Sequence, residues 1–541
     1  MSASTRPGQL ANLVLIETTG NQAFIFATNK LRENVGASEL TARVGTRFVL
    51  DAIHAAGGPN LSGDTVPQIR SHLRDSAFNR PVNDSNPVEV ILAVSGKALL
   101  LARDAAIGRR IVQRVTLQAL KEAPGLEVRG VVSEAFDLDR DDLHGEIRKV
   151  HRQFESVRSR LSGPAARFQR LPIIADCATS GLPATRPANQ RDGLAKEERK
   201  EYSSQTFAKL NVRQSWKKRV DDIREHHQVK LPLPDATTEL EDLGCDWTAI
   251  VHADGNGLGQ VFLNFKEVSK ATNNRDYIDK LRRFSLALDE CTEKAFCQAL
   301  SVFLPKRGVA PIVPLVLGGD DLTVVCDGRQ ALQFTKKFID SFEEATSQHN
   351  NVKAILADGV TSCAGVTIVK PHFPFFAGYQ LAEELLKSAK TFKPRSAIDY
   401  HILYDASGPD LERIRSELTV DNGKTLLVGR PYVTTVGQGP VNRRWSDLIC
   451  RINAVRARDD VEQRRRLPNS MLHELRESLF LGSDTADSRL HLVLERYRNQ
   501  GLDQLCGSTA GRDSLFWNDD EQHFTGLLDA VDTAEFWEAE G

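Results

Sequence analysis

Apolar residues along this chain fall into two recurring patterns: runs of strand-like, β-branched residues and stretches with helical spacing. Residues 10–28 read as two short strands around a Gly-Asn turn, LANLVLIETT and QAFIFAT. From Asn29 to Ala56, Leu31, Val35, Leu40, Val44, Phe48 and Val49 recur close to helical spacing. A polar loop rich in Gly, Pro and Asn spans 57–87, and VEVILAVSGKALLLAR then reads as strand, turn, strand. A helix over 104–123 and a strand near 126–134 complete the unit. This order predicts a ferredoxin-like α/β domain at about 1–150.

The same order returns downstream. The strand DWTAIVHAD ends in the turn GNGLG, and helical stretches run through 258–300. VPLVLGGDDLTVVCDG reads as two apolar strands joined at a Gly-Gly-Asp-Asp turn. A helix over 329–348 sets Phe334, Phe338 and Phe342 in one stripe that belongs in a core. The strand SCAGVTIVK, the helix PFFAGYQLAEELLKSAKTF and the strand AIDYHILYD finish a second copy, at 246–408. Between the copies, 151–245 reads as a polar helical linker with a Pro/Gly-rich loop at 181–194. Its charge run KEERKE (196–201) and the pair His226 and His227 read as solvated surface. Residues 409–541 read as a helical C-terminal domain. Its arginines 443, 444, 451, 456, 458, 464, 465 and 466 are partly offset by Asp447, Asp459, Asp460 and Glu462, and read as solvated surface.

Composition narrows the function classes. A chain of 541 residues is too long for one hydrophobic core. A formal net charge of −2 argues against a surface dedicated to coating nucleic acid, though a local groove stays open. No uninterrupted apolar stretch is long enough to cross a bilayer and the N-terminus lacks a signal-peptide pattern, so a cytoplasmic protein without membrane contact is expected. The eight cysteines are scattered without a C-x-x-C pair, which suits small core residues better than disulfides or a four-ligand zinc site.

The chemistry concentrates in the second copy. Asp254 ends a buried strand, and Asp320 and Asp321 sit at the tip of a hairpin expected to pair beside it. Carboxylates crowded at one sheet edge repel one another unless divalent cations neutralise them. Hard oxygen ligands select Mg2+ or Mn2+, and two such ions can activate a hydroxyl and stabilise departing pyrophosphate. Gly318 and Gly319 permit the tight turn and close approach of a phosphate. Gly255, Gly257 and Gly259 form a loop that opens a helix, whose first amides can hold phosphate oxygens.

HADGNGLG together with LVLGGDDLTVV resembles the second palm domain of the large polymerase-cyclase subunit of type III CRISPR effector complexes, a relative of GGDEF diguanylate cyclases. CAGVTIVKPHFPFFAGYQLAEELLKSAK is similar to the later half of that palm, and GNQAFIFATNKLRENVGASELT to the family's first, non-catalytic palm. The resemblance implies that Asp254, Asp320 and Asp321 are metal ligands and that the Gly255 carbonyl lies in the nucleotide loop. It also implies that Ser285 approaches ribose or phosphate, Lys390 the triphosphate, and Gly36-Ala37-Ser38 a second nucleotide pocket. Helix packing is an equal alternative for that small-residue corner.

Departures from the family accompany these matches. Asn256 stands where a second acid is usual, and Val94-Ser95-Gly96-Lys97 stands where a catalytic hairpin needs acids, so the first palm is expected to be degenerate. PIIADCATSGLPA is similar to a zinc knuckle but keeps only Cys177, with SSQT (203–206) where the partner pair belongs, so no zinc is expected. No His-Asp dipeptide occurs, so the family's N-terminal nuclease domain is expected to be absent. The resemblance thus implies an enzyme that joins nucleoside triphosphates, such as ATP, into a cyclic di- or oligonucleotide for antiviral defence, using two Mg2+ or Mn2+ ions. The alternative is a structural large subunit that works only when assembled with CRISPR-type proteins and guide or target RNA. A nucleotide sensor without turnover is a third possibility.

Overall fold

A computed structural model describes residues 9–159, 171–187, 201–235, 239–404, 408, 410–458, 465–497, 502–506, 514–519 and 522–537. The fold is mixed α/β, with two ferredoxin-like palms. In the first, β1 (Leu10–Thr19), β2 (Val88–Val94), β3 (Lys97–Ala102) and β4 (Glu127–Val132) lie in the order β2-β3-β1-β4. All three pairings are antiparallel. The segment QAFIFAT is not a strand: Asn21–Ile25 is a short helix that follows Gly20, whose φ of +67° turns the chain. With β3 on one side of β1 and β4 on the other, no edge remains for a following strand.

Helix α1 (Leu31–Arg43) continues through a π-helical turn at Val44–Phe48 into the helix Val49–Ala55. Two glycines explain why it can lie so close to its neighbours. A Cβ at Gly36 would stand 1.9 Å from the Lys209 carbonyl oxygen, and one at Gly45 would stand 2.0 Å from that of Val94. The expected loop at 57–87 contains a helix, α2 (Val66–Arg74), which Thr65 caps with Pro67 in its first turn. Helices α3 (Ala105–Glu122) and α4 (Leu143–Arg158) follow, the latter running through the expected boundary at 150. In the linker, α5 (Ser204–His226) buries Trp216, whose indole N–H donates to the Pro314 carbonyl at 3.1 Å. Residues 196–200 of KEERKE lie outside the described residues.

The second palm comprises β5 (Thr248–Gly255), α6 (Asn274–Ala299), β6 (Ile312–Gly318), β7 (Asp321–Asp327), α7 (Ala331–Gln348), β8 (Ser362–Val369), α8 (Phe375–Ala389) and β9 (Ala397–Ile402). The order β6-β7-β5-β8 repeats that of the first palm; β9 extends it in parallel with β8, and β10 (Tyr432–Val433) adds the far edge. Pro314 is tolerated because β6 is the opposite edge strand. Phe334, Phe338 and Phe342 are buried and stacked along α7, each contributing roughly 1.5–3 kcal/mol by leaving water.

The C-terminal region is not purely helical. Beside α9 (Trp445–Arg456), α10 (Asn469–Leu479), α11 (Ser483–Arg496) and α12 (Leu527–Ala534), four short strands form a sheet: Thr419–Val420, Thr425–Leu426, Phe516–Asp519 and Gln522–Thr525. Strands of two to four residues leave no readable alternation. The region docks on the second palm through Asp529, which accepts from the Gly429 N–H and the Tyr432 hydroxyl, both at 2.7 Å. Nor are all its arginines solvated. Arg451 is buried over Trp517, and Arg443 pairs with Asp519 at 3.1 Å and packs over Phe524. Both stems and heads are used in packing. Arg464, Asp459, Asp460 and Glu462 lie outside the described residues.

Candidate functional site

Strand register brings the three acids together. β5 and β7 pair with Ala253 opposite Leu322, so the next position sets Asp254 opposite Asp321 across neighbouring strands. Gly318 pairs with Asp321, leaving Gly319-Asp320 as a two-residue turn. Gly319 has a φ of +63°, which only glycine adopts without strain at the first central position. Gly255 makes room for Asp320: a Cβ there would stand 2.9 Å from the Asp320 Cβ. Gly257, with φ +77°, turns the chain into the short helix Leu258–Leu263, and Gly259 lies exposed in its first turn.

The electrostatics are those of crowded carboxylates. Burial, followed by the charge of Asp321, pushes Asp320 up to about 7. Burial also raises Asp321, with His252 acting in the opposite direction. Asp254 is ion-paired with Lys390, and burial lowers the Lys390 ammonium to about 8, assisted by Lys393. In this arrangement no group of three or more His, Cys, Asp or Glu among the described residues is set to hold a metal ion. Lys390, expected at a triphosphate, thus sits on Asp254 itself.

Asn256 points away from the acids. Its amide donates to the Thr361 hydroxyl at 3.0 Å and the Arg395 carbonyl at 3.2 Å, and its Oδ1 is buried without a partner. An acid at this position would face a carbonyl it could not satisfy, a physical reason for the departure. Ser285 is buried on α6 with its hydroxyl unpartnered, one and two turns before Asp289 and Thr292 on the same helix face. Ser38 reaches a cavity of about 540 Å3 between the palms, which is also lined by Ser95, Arg219, His252, Asp321 and Tyr379. Gly36, two residues earlier, serves helix packing against Lys209, so the corner packs closely and also borders this cavity. Cys177 is buried among hydroxyls, with Sγ 3.4 Å from Thr206 and 3.7 Å from Thr179.

Several residues around the acids escape sequence reasoning. His252 is buried with Nδ1 3.0 Å from the Thr323 hydroxyl and Nε2 3.5 Å from that of Tyr379, which in turn accepts from Gln22 of the first palm at 2.8 Å. The hairpin tip is gripped by α6: Asp289 accepts from the Gly319 N–H, and the Thr292 hydroxyl donates to the Gly319 carbonyl at 2.5 Å. The available signal was Asp289 and Glu293 standing inside the apolar periodicity of α6, where a buried acid needs a partner.

Residues 247–399 match the family described as Cas10/Cmr2, second palm domain. No curated protein matches the sequence. Among solved structures, Csm1 of T. onnurineus is 12% identical with a TM-score of 0.51, the alignment covering 94% of this chain and 67% of Csm1. A Csm1–Csm4 cassette in complex with cA3 is 11% identical with a TM-score of 0.50, the alignment again covering 94% of this chain and 67% of that one. At such identity the likeness is one of fold. The palm assignment and the resemblance to large subunits of type III CRISPR complexes thus rest on sequence for the second palm and on fold for the rest. Among the described residues no helix is long and apolar enough to cross a membrane.

Proposed function

We propose that this chain is a divalent-metal-dependent nucleotidyltransferase that converts ATP or another nucleoside triphosphate into a cyclic di- or oligonucleotide in a CRISPR type III-like defence. The observation that carries the reading is the set of Asp254, Asp320 and Asp321 at one sheet edge, with Gly255 clearing space for Asp320. The donor set fits Mg2+ or Mn2+: all ligands are hard oxygens, and burial opposes ionisation of both turn acids, with the charge of Asp321 adding to it at Asp320. Asp254, Asp320, Asp321 and the Gly255 carbonyl would hold the metal, once Asp254 exchanges the Lys390 ammonium for it. When bound, the metal supplies charge neutralisation at the reacting phosphate and a more acidic attacking hydroxyl.

The chain's own groups do the rest. Lys390, released from Asp254, would meet triphosphate oxygens, and the short helix Leu258–Leu263 opens in the glycine loop that follows Asp254. Gly318 and Gly319 keep side chains away from the approaching phosphate. Ser285 offers an unpartnered hydroxyl for ribose or phosphate, and the inter-palm cavity with Ser38 gives a second nucleotide a place beside Asp321. Positioning two nucleotides this way converts an encounter in solution into a reaction within one complex. The cassette that shares this fold was solved with cA3, which suggests the product class.

Incubating the purified chain with each nucleoside triphosphate and Mg2+ or Mn2+, then identifying products by mass spectrometry, tests the proposal. A cyclic product made by the wild type and lost in Asp320→Ala/Asp321→Ala supports it; product undiminished in that variant removes the assignment. A second reading, a large subunit active only when assembled, draws on the ion pair that occupies Asp254. Turnover that appears only after partner subunits or guide RNA are added would favour it.

A further inference from the structure

We infer that Arg70, on the first palm, is a positioning residue for the acidic hairpin of the second palm, acting through Glu293, Asp289 and Thr292. The inference rests on the catalytic reading above for its kinetic consequence, though not for its geometry. Arg70 is buried and holds Glu293 with a two-pronged contact at 2.6 and 2.7 Å, and it lies 3.5 Å from Asp289. Glu293 and Asp289 are four residues apart on α6 and are themselves buried. Two such carboxylates on adjacent turns repel each other and are poorly solvated, so a single buried guanidinium shared between them offsets that repulsion and fixes both.

Their position makes this more than a domain fastener. Asp289 takes the N–H of Gly319, and Thr292, three residues on, donates to the carbonyl of the same glycine. Both polar backbone atoms of the residue just before Asp320 are thereby tied to one helix face. The left-handed φ of Gly319 sets the direction in which Asp320 leaves the turn, so a tip free to rock would lose its alignment with Asp254 and Gly255. The first palm's tip is held differently: the Gly96 carbonyl accepts from the N–H and hydroxyl of Thr18 on its own sheet. The degenerate palm supplies the cation that braces the acidic one.

Arg70→Lys keeps the charge and loses the fork; Thr292→Val keeps the shape and loses the donation to Gly319. Melting temperature, hydrogen exchange of segment 315–322 with segment 92–99 as internal reference, Mn2+ affinity by titration calorimetry, and kcat and KM are measured on each full-length variant. With folding retained, exchange at 315–322 is expected to rise about tenfold while 92–99 is unchanged, as loss of one buried hydrogen bond implies. Mn2+ affinity falls severalfold, and kcat falls about tenfold with KM for the nucleotide unchanged, the mark of lost alignment. Exchange at 315–322 and Mn2+ affinity both at wild-type values in a folded Arg70→Lys overturn the inference; if Arg70→Lys fails to fold, the same result in Thr292→Val overturns it. If the wild type makes no product, the catalytic reading falls, and the exchange result still decides whether the brace exists.

Discussion

The two palms share one topology and differ where the hairpin tip meets the central strand. In the first, Lys97 stands opposite Glu17 and the two form an ion pair at 2.6 Å. In the second, Asp321 stands opposite Asp254, like charge against like. The turns differ in a matching way. Gly96 carries the positive φ at the second central position of the first turn, and a Cβ there would stand 2.5 Å from the Thr18 hydroxyl. In the second turn the positive φ moves one residue earlier, to Gly319, and the glycine that yields space moves to the strand, as Gly255. That exchange lets the second turn carry Asp320. The first hairpin is charge-balanced as it stands; in the second, Lys390 offsets Asp254 alone, and burial and like charge raise the turn acid Asp320.

The sharpest way to break this contrast is to remove the turn acids. Asp320→Ala/Asp321→Ala is expected to lower product formation at least about a thousandfold, because transition-state charge loses its stabilisation. Its melting temperature should not fall, since two mutually repelling groups are removed. Lys97→Met, at the equivalent site, should leave turnover within about twofold, because a partly exposed ion pair contributes little beyond local stability. Comparable loss in both variants, measured by mass spectrometry and calorimetry, would mean that the palms are not divided in labour.

Gly255→Ala comes next. The added methyl drives Asp320 from its place, and turnover should fall roughly a hundredfold, as misplacement by about 1 Å can cost that much. Gly96→Ala should instead show itself in stability, by about 1 kcal/mol or more, with turnover preserved.

A smaller effect follows from pH. Asp320 ionises near 7 in the folded chain and near its ordinary value of 3.8 when unfolded. Between those values the folded state binds more protons, so stability is lost as pH rises through the window and regained in acid. Asp320→Asn, which removes that loss, should raise the melting temperature by about 2–4 °C at pH 8 and by progressively less toward pH 4. Mg2+ should stabilise the wild type at pH 8 and not the variant. A gain independent of pH would show that repulsion and burial at Asp320 are not its source. The smallest expected change is that of Lys97→Met, about 1 kcal/mol or less, insensitive to Mg2+.

Much of this was readable from the chain itself. Alternating apolar strands, a helical run between them and two tight turns spelled out the palm twice, and the spacing of Asp254 from Gly318-Gly319-Asp320-Asp321 singled out the acidic copy, because strand period and turn chemistry are local properties. What failed locally was also informative. QAFIFAT has strand composition yet starts as a short helix because β1 has no free edge, and the short C-terminal strands acquire their identity only by pairing with distant segments. The ion pair of Lys390 with Asp254, the Glu17–Lys97 counterpart and the brace from Arg70 to Gly319 depend on which side chains meet across separations of 30 to 223 residues. Sequence determined the elements and the acids; the tertiary structure alone decided what neutralises each charge, since Coulomb energy and burial are set by distance in space and not along the chain.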